Sequence, residues 1–322
     1  MSAGFDPHKI AIVIPLFNDA ANIERAITSA LQQKLPEGFD LEVIVVDDCS
    51  TDDGFEIATR LAGAHAHLTA LRQDQNQGPS AARNTALAQS NAGWFTPLDS
   101  DDFIAPDRIM KLMNVARESN LDWVADNLLI SREDTPTKVE RTLWPEKPEG
   151  HVELSAAFFA NRCFDVDTPR SELGFLKPVI NRTRLSSGLQ PYREDLRFGE
   201  DFELYTRTLL DGAKAWLVDP CGYYLVQRAG SASHSQNGRD HRRLAKISRE
   251  MSRREGIHPE ARKALQKHCA YSEKEAAMWS IIDGVRDKNP RLMLSAFGYS
   301  LPASIHVITQ VTQTAIRKLS SK

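Results

Sequence analysis

With 322 residues, 41% of them hydrophobic and 26% charged, the chain has an ordinary globular composition and is long enough for one large core with an appendage. Its four cysteines, Cys49, Cys163, Cys221 and Cys269, are scattered without a CxxC pair, which argues against a zinc or disulfide framework and for a reducing compartment. The formal net charge of -3 conceals an asymmetry: residues 237–322 carry 17 basic and 8 acidic side chains, whereas residues 1–236 carry 23 and 35.

An acidic body followed by a basic tail predicts two parts with separate roles, 1–236 and 237–322. Residues 1–9 are polar and the apolar run after them is too short for a secretion signal. No stretch reaches the roughly 20 apolar residues that spanning a bilayer needs. The expected location is cytoplasmic, with peripheral attachment to the cytoplasmic face of a membrane left open.

In chain order, residues 10–14 form a short β-branched strand that Pro15 stops. A helix follows with Ile23, Ala26, Ile27, Ala30 and Leu31 on one face and Asn18 or Asp19 as its cap. Residues 41–46 are almost wholly apolar, which predicts a strand buried on both faces, as in a parallel sheet. This strand runs into Asp47-Asp48-Cys49-Ser50-Thr51-Asp52-Asp53 and a helix through Ile57, Ala58 and Leu61. A short strand at 68–71 and an alanine-rich helix at 80–90, opened by Gly78-Pro79, lead to a fourth strand at 94–98. The first hundred residues therefore read as an open α/β sheet with polar loops beyond its strands, where such sheets bind ligands. A helix at 106–118 and one strand over 123–130 come next, then an exposed excursion at 131–150. Residues 151–198 read as a helix at 152–160 followed mostly by loops. A helix at 202–210 and strands at 215–218 and 223–227 close the first part, and the pattern beyond 238 is helical.

The chemistry gathers at two strand ends. Trp94–Leu98 ends in Asp99-Ser100-Asp101-Asp102, three carboxylates in four residues, and the strand at 41–46 ends in Asp47-Asp48. Such a cluster is either a solvated acidic turn or a site for a hard cation that shares its shell with a substrate phosphate. There is no GxGxxG after the first strand, no GxxxxGK[ST] and no HExxH, so a dinucleotide cofactor and a phosphate-binding triphosphatase loop are disfavoured.

Four motifs in order resemble the family 2 glycosyltransferases: Ile12-Val13-Ile14-Pro15-Leu16-Phe17-Asn18, Val45-Val46-Asp47-Asp48-Cys49-Ser50-Thr51-Asp52, Asn76-Gln77-Gly78-Pro79-Ser80-Ala81-Ala82-Arg83-Asn84, and Leu98-Asp99-Ser100-Asp101-Asp102. The resemblance covers about residues 9–235. It implies a GT-A fold (α/β, a mixed, mostly parallel sheet flanked by helices), here with a helical C-terminal extension. It also implies a nucleotide-sugar donor, a divalent metal (Mn or Mg), and transfer with inversion. Carried over, Pro15, Phe17 and Glu24 become donor-contacting positions. Many members have tyrosine at the place of Phe17, so ring packing is kept without the hydroxyl. Asp48 becomes the carboxylate that reads the base and suits uracil, hence a UDP-sugar. Arg83 falls on a helix near the donor, with a surface salt bridge as its alternative. Asp99 and Asp101 match the DxD pair as metal ligands, with Asp101 the more direct one and Asp99 also a donor contact nearer the ribose, and Asp102 orients the loop or binds through water. Glu200-Asp201 resembles the ED motif, which makes Asp201 the general base. A helix start can hold that carboxylate through backbone N–H groups, although an ordinary N-cap pair reads the same way.

Arg228 in Gln227-Arg228-Ala229-Gly230-Ser231-Ala232-Ser233-His234 lies where related enzymes carry basic and polar residues, which makes Arg228 a candidate near the diphosphate, while His234 reads rather as a surface residue. The QxxRW signature of processive members is absent, so transfer of single sugars to a glycan, including a lipid-linked saccharide, is expected. Trp144, Trp216 and Trp279 read as core. Two other readings stand beside the transferase. A sugar nucleotidyltransferase would carry a glycine-rich basic loop after the first strand, which residues 15–18 lack. An inactive sugar-nucleotide or glycan-binding module would not need Asp101 and Asp201. Nucleic acid is not an expected partner, because the tail's basic residues alternate with acids and few aromatics accompany them. The last segment carries an apolar stripe at Ile305, Ile308, Val311, Thr312, Ala315, Ile316 and Leu319, suited either to an anionic membrane surface or to packing on protein.

Overall fold

The computed structural model describes residues 4–163, 173–185, 190–228 and 237–320, the side chains of 314–320 excepted. The β-branched run of the first strand builds β1 (Asp6–Leu16), whose residues Ile10 to Ile14 are essentially inaccessible to solvent. Parallel partners flank it on both sides: β2 (Asp40–Asp47), itself paired with β3 (Leu68–Arg72), on one side and β4 (Ala92–Pro97) on the other. Helices α1 (Ile23–Leu31), α2 (Gly54–Ala64) and α3 (Pro79–Gln89) make the crossovers. The chain thus winds outward through β2 and β3 and returns to the far side of β1. This reversal of strand order opens a crevice beyond the carboxyl ends of β1, β2 and β4.

After β4 come β5 (Phe103–Ile104), α4 (Arg108–Glu118), β6 (Trp123–Asp126), β7 (Leu129–Arg132), β8 (Arg141–Thr142), β9 (His151–Glu153) and α5 (Ala156–Arg162). Then follow β10 (Val179–Asn181), α6 (Glu200–Leu210), β11 (Ala215–Val218) and β12 (Tyr223–Gln227). The main sheet runs β3-β2-β1-β4-β10-β6-β11-β9, and a smaller one runs β5-β12-β7-β8. β10 is antiparallel to both β4 and β6, which makes the sheet mixed.

Several expectations change here. The single strand expected over 123–130 is two strands in different sheets. At the break Asp126 turns inward to Arg108, and the Asn127 side chain brackets the Trp144 backbone with two hydrogen bonds of 2.8 and 2.9 Å. The helix expected at 152–160 starts later, because Ser155 accepts a hydrogen bond from the Phe158 N–H and sets the N-cap, while 151–153 joins the sheet as β9. The N-cap of α1 is Asn22 rather than Asn18 or Asp19. Of the tryptophans expected in the core, Trp144 is buried, whereas Trp216 is half-buried and stacks on His151.

The chain divides into two units, Met1–Ala229 and Gly230–Lys322. The second contains α7 (Gly238–Ser252), α8 (Pro259–Arg286), α9 (Pro290–Ser295) and α10 (Leu301–Ser320). Between α7 and α8, the buried Ser248 Oγ and His268 Nδ1 lie 2.8 Å apart. Burial lowers the pKa of His268 from 6.5 to about 3, helped by neighbouring His241, and burial lowers that of His241 to about 4. A histidine depressed in the folded state is neutral in both states above pH 6.5, so its cost appears only as the pH falls and the unfolded chain takes up protons. By linkage each side chain should remove about 2 kcal/mol of stability between pH 7 and pH 5. Urea titrations of this unit's helicity should show that drop, and His268→Gln should abolish about half of it. Equal pH sensitivity in the variant would refute the assignment.

Candidate active site

The three loops beyond β1, β2 and β4 are laced together. The Asp48 N–H donates to the Leu16 carbonyl at 2.8 Å, the Asn18 N–H to Ser50 Oγ at 2.9 Å, and the Thr51 N–H to Asn18 Oδ1 at 2.8 Å. Asn18 and Cys49 hold left-handed backbone conformations, with φ of 49° and 64°. Asparagine tolerates this region; for cysteine it is strained, and such strain gathers at functional loops. Pro15 sits inside β1 opposite Val46, and Phe17 just beyond the strand is half exposed.

Asp48 is buried, and each of its oxygens accepts one backbone hydrogen bond, Oδ1 from Gln77 N–H and Oδ2 from Gly78 N–H, both at 2.7 Å. Gly78, with φ of 93°, turns its amide toward the carboxylate just before Pro79 opens α3. Burial outweighs these bonds and raises the Asp48 pKa.

The three carboxylates of the loop after β4 have separate surroundings. Asp102 is buried, with Oδ2 accepting from the Tyr223 hydroxyl and Oδ1 from the Val226 N–H, each at 2.8 Å. The same hydroxyl accepts from the Asp99 N–H at 3.2 Å. Asp102 therefore fastens the loop to β12, the orienting role of the two expected for it. The Asp101 carboxylate meets Arg228, whose Nε lies 2.9 Å from Oδ2 while its Nη1 lies 2.9 Å from Asp19 Oδ1. Burial, then the charges of Asp99 and Asp19, push the Asp101 pKa up to about 6 even against Arg228. The site is thus short of positive charge around Asp101. Asp19 is buried and also accepts from Ser100 Oγ at 2.7 Å, so it joins the loop after β1 to the loop after β4.

Asp99 takes part in a chain of alternating charge. Its Oδ1 accepts from Arg83 Nη2 at 2.8 Å and its Oδ2 lies 3.0 Å from Lys177 Nζ. Arg83 Nη1 reaches Glu200 Oε1 at 2.9 Å, and Lys177 Nζ reaches Asp201 Oδ2 at 2.7 Å. Since Glu200 and Asp201 are consecutive in α6, the chain closes into a ring of three carboxylates and two cations. Burial opposes the charge on Asp99, yet Lys177 and Arg83 hold its carboxyl well below the usual carboxylate range. Asp201 is 7% exposed, and its Oδ1 is buried without any hydrogen-bond partner. A buried unpaired carboxylate oxygen is costly and marks a place where another donor belongs.

Two expectations change at these residues. Lys177, not the backbone N–H groups at the start of α6, holds Asp201; the α6 N-cap is Gly199 and makes no side-chain cap bond. Arg83 is no surface ion pair, for its guanidinium is buried and stacks 5.3 Å from the Tyr192 ring centroid. Glu24 stands apart from the carboxylate cluster: it is exposed on α1, pairs with Arg60 at 2.9 Å and lines a groove with Phe103 and Tyr224. His234 lies outside the described residues. Sequence reading missed Lys177 and the pairing role of Asp19. A lysine inside the apolar stretch from Phe175 to Ile180 was the available signal, because a charge there is buried only when paired.

Residues 11–168 match the family described as Glycosyl transferase family 2. Over 304 residues the chain is 32% identical to the succinoglycan biosynthesis protein ExoU of Rhizobium meliloti, covering 94% of this chain and 86% of that one. The chain is a family 2 glycosyltransferase. Its fold also matches solved structures, among them TarS 1-349 of S. aureus in complex with UDP-GlcNAc. That likeness has a TM-score of 0.67 at 19% identity and covers 90% of this chain and 80% of that one. A second is the mannosyltransferase PcManGT of Pyrobaculum calidifontis in complex with GDP-Man and Mn2+, with a TM-score of 0.54 at 18% identity, covering 98% and 82%. The GT-A architecture that the motifs imply is therefore the fold of this family 2 member.

Proposed function

We propose that this glycosyltransferase moves one sugar, with inversion, from a UDP-sugar to a glycan acceptor in exopolysaccharide or cell-surface glycan synthesis. The observation that carries the reading is the free, buried Oδ1 of Asp201, held in an ion-pair ring that also contains Asp99 of the donor loop. Asp201 Oδ1 takes the proton of the acceptor hydroxyl as that oxygen forms its bond to the anomeric carbon. The bond from that carbon to the diphosphate breaks on the opposite side, and its electron pair leaves on the phosphate oxygen.

Asp48 keeps a second lone pair on each oxygen and suits the ring N–H of uracil, beside the open face of Phe17. Arg228 supplies charge for the diphosphate. The residues fit a hard divalent cation: Asp101 is an oxygen donor in a region of surplus negative charge, with Asp19 sharing its cationic partner. Asp99 is better assigned to the ring, since both of its oxygens already face cations. A bound Mn or Mg would neutralise charge on the leaving diphosphate. Melting curves with a panel of nucleotide sugars, with and without Mn2+, test the reading. A UDP-sugar at 100 times its Kd should add about 2.7 kcal/mol of stability, and UDP should be released slowly from it in an EDTA-sensitive reaction. A panel in which only non-uridine donors bind would overturn the donor assignment.

No helix among the described residues is long and apolar enough to cross a membrane. The basic second unit nevertheless exposes Leu301, Ile305, Ile308 and Val311 along α10, which suits a lipid-linked acceptor met at an anionic surface. Co-sedimentation with anionic vesicles should be lost in Ile305→Glu/Ile308→Glu; binding to neutral and anionic vesicles alike would count against this assignment.

A further inference from the structure

Lys177 belongs to no motif and has no part in the proton transfer described above. Yet it is 3% exposed, with its ammonium 2.7 Å from Asp201 Oδ2 and 3.0 Å from Asp99 Oδ2. Burying an ammonium is costly, and ion pairs of this kind add little net stability compared with an apolar replacement. What they fix is geometry. Burial disfavours the charge, but Asp201 and Asp99 together raise the Lys177 pKa, so the ammonium is a permanent fixture of the ring.

The backbone of Lys177 is pinned as firmly as its head group. Its carbonyl accepts from Nη2 of the fully buried Arg108, whose own partner is the fully buried Asp126. Pro178 and β10 follow at once, and β10 is held between β4 and β6. The stem of Lys177 therefore starts from the middle of the sheet and ends between the two carboxylates. It occupies one oxygen of Asp201 and leaves the other free.

We infer that Lys177 is a positioning residue for glycosyl transfer. It holds Asp201 with Oδ1 available to the acceptor hydroxyl and ties that carboxylate to Asp99 on the donor loop. The inference rests on Asp201 serving as the base. Lys177 acts only through this alignment. Before transfer the ring carries three negative and two positive charges. The proton arriving on Asp201 Oδ1 removes the excess, and Lys177 stays protonated throughout.

Kinetics of Lys177→Met, Asp201→Asn and the double variant, with UDP and Mn2+ as the binding probe, test this. Misplacement of a reacting group by about 1 Å costs about 10²-fold, so Lys177→Met should lower kcat about 10²-fold while the Kd for UDP stays within about threefold. Because Lys177 acts through Asp201, the double variant should be no slower than Asp201→Asn alone. A role confined to stability would leave kcat intact in the folded fraction, or would make the two losses multiply, and either result overturns the inference. Should Lys177→Met fail to fold, the double variant carries the test. It restores the net charge of the ring and should fold with the kcat of Asp201→Asn; a further tenfold loss, or failure to fold, refutes the proposal. Full turnover in Asp201→Asn would instead remove the base assignment itself, which keeps the two failures distinct.

Discussion

Asp201→Asn is expected to lower kcat by about 10²–10⁴, the usual contribution of a positioned general base. The amide keeps the size and shape of the carboxylate but has no basic oxygen for the acceptor proton. Donor binding should change little, since Asp201 touches Lys177 and not the loops around Asp48 and Asp101. The fold should persist as well: Lys177 keeps Asp99 at 3.0 Å, and Glu200 keeps Arg83 at 2.9 Å. Steady-state kinetics beside UDP titration calorimetry separate the two quantities. Unchanged turnover with normal UDP affinity would take the base role away from this residue.

Asp126→Ala should be the most destabilising single change in the first unit among the contacts described above. Arg108 and Asp126 are both fully buried, and Asp126 Oδ1 accepts from Arg108 Nε at 3.0 Å and Nη2 at 2.7 Å. Its Oδ2 also accepts from the backbone N–H groups of Cys221 at 3.0 Å and Tyr223 at 3.3 Å. Removing one partner of a buried pair leaves an uncompensated charge and costs about 3–5 kcal/mol. For a unit of this size that corresponds to a fall in Tm of roughly 6–20 °C. The damage should reach the site too, because Arg108 holds the Lys177 carbonyl and Tyr223 holds Asp102. Calorimetry gives the stability; a loss under about 1 kcal/mol would show that water or a rearranged side chain satisfies Arg108.

The legible parts of the fold were those written in local pattern. The apolar runs at 10–14, rich in β-branched residues, and 41–46, suited to burial on both faces, read as strands, and they lie in β1 and β2. Gly78-Pro79 marked the start of α3 because glycine accepts a positive φ and proline's missing N–H has no intrahelical partner to lose in the first turn. The break between β6 and β7 was illegible, for it depends on partners far along the chain: Arg108 for Asp126 and Trp144 for Asn127. β10 is three residues long, too short for any period to register, and it is stable only because β4 and β6 already lie on either side.

The site divides along the same line. The sequence by itself determined that acidic loops stand at the ends of two strands, β2 and β4, in a family 2 transferase, since short motifs carry that information. Only the tertiary structure decided what surrounds each carboxylate. Asp102 is fastened to β12, Asp99 is held between two cations, Asp101 is left short of positive charge, and Asp201 keeps one free oxygen. The reason is physical. A carboxylate's protonation and direction are set by charges within a few ångströms, and here those charges come from residues 83, 177 and 228, which approach only when the sheet is assembled.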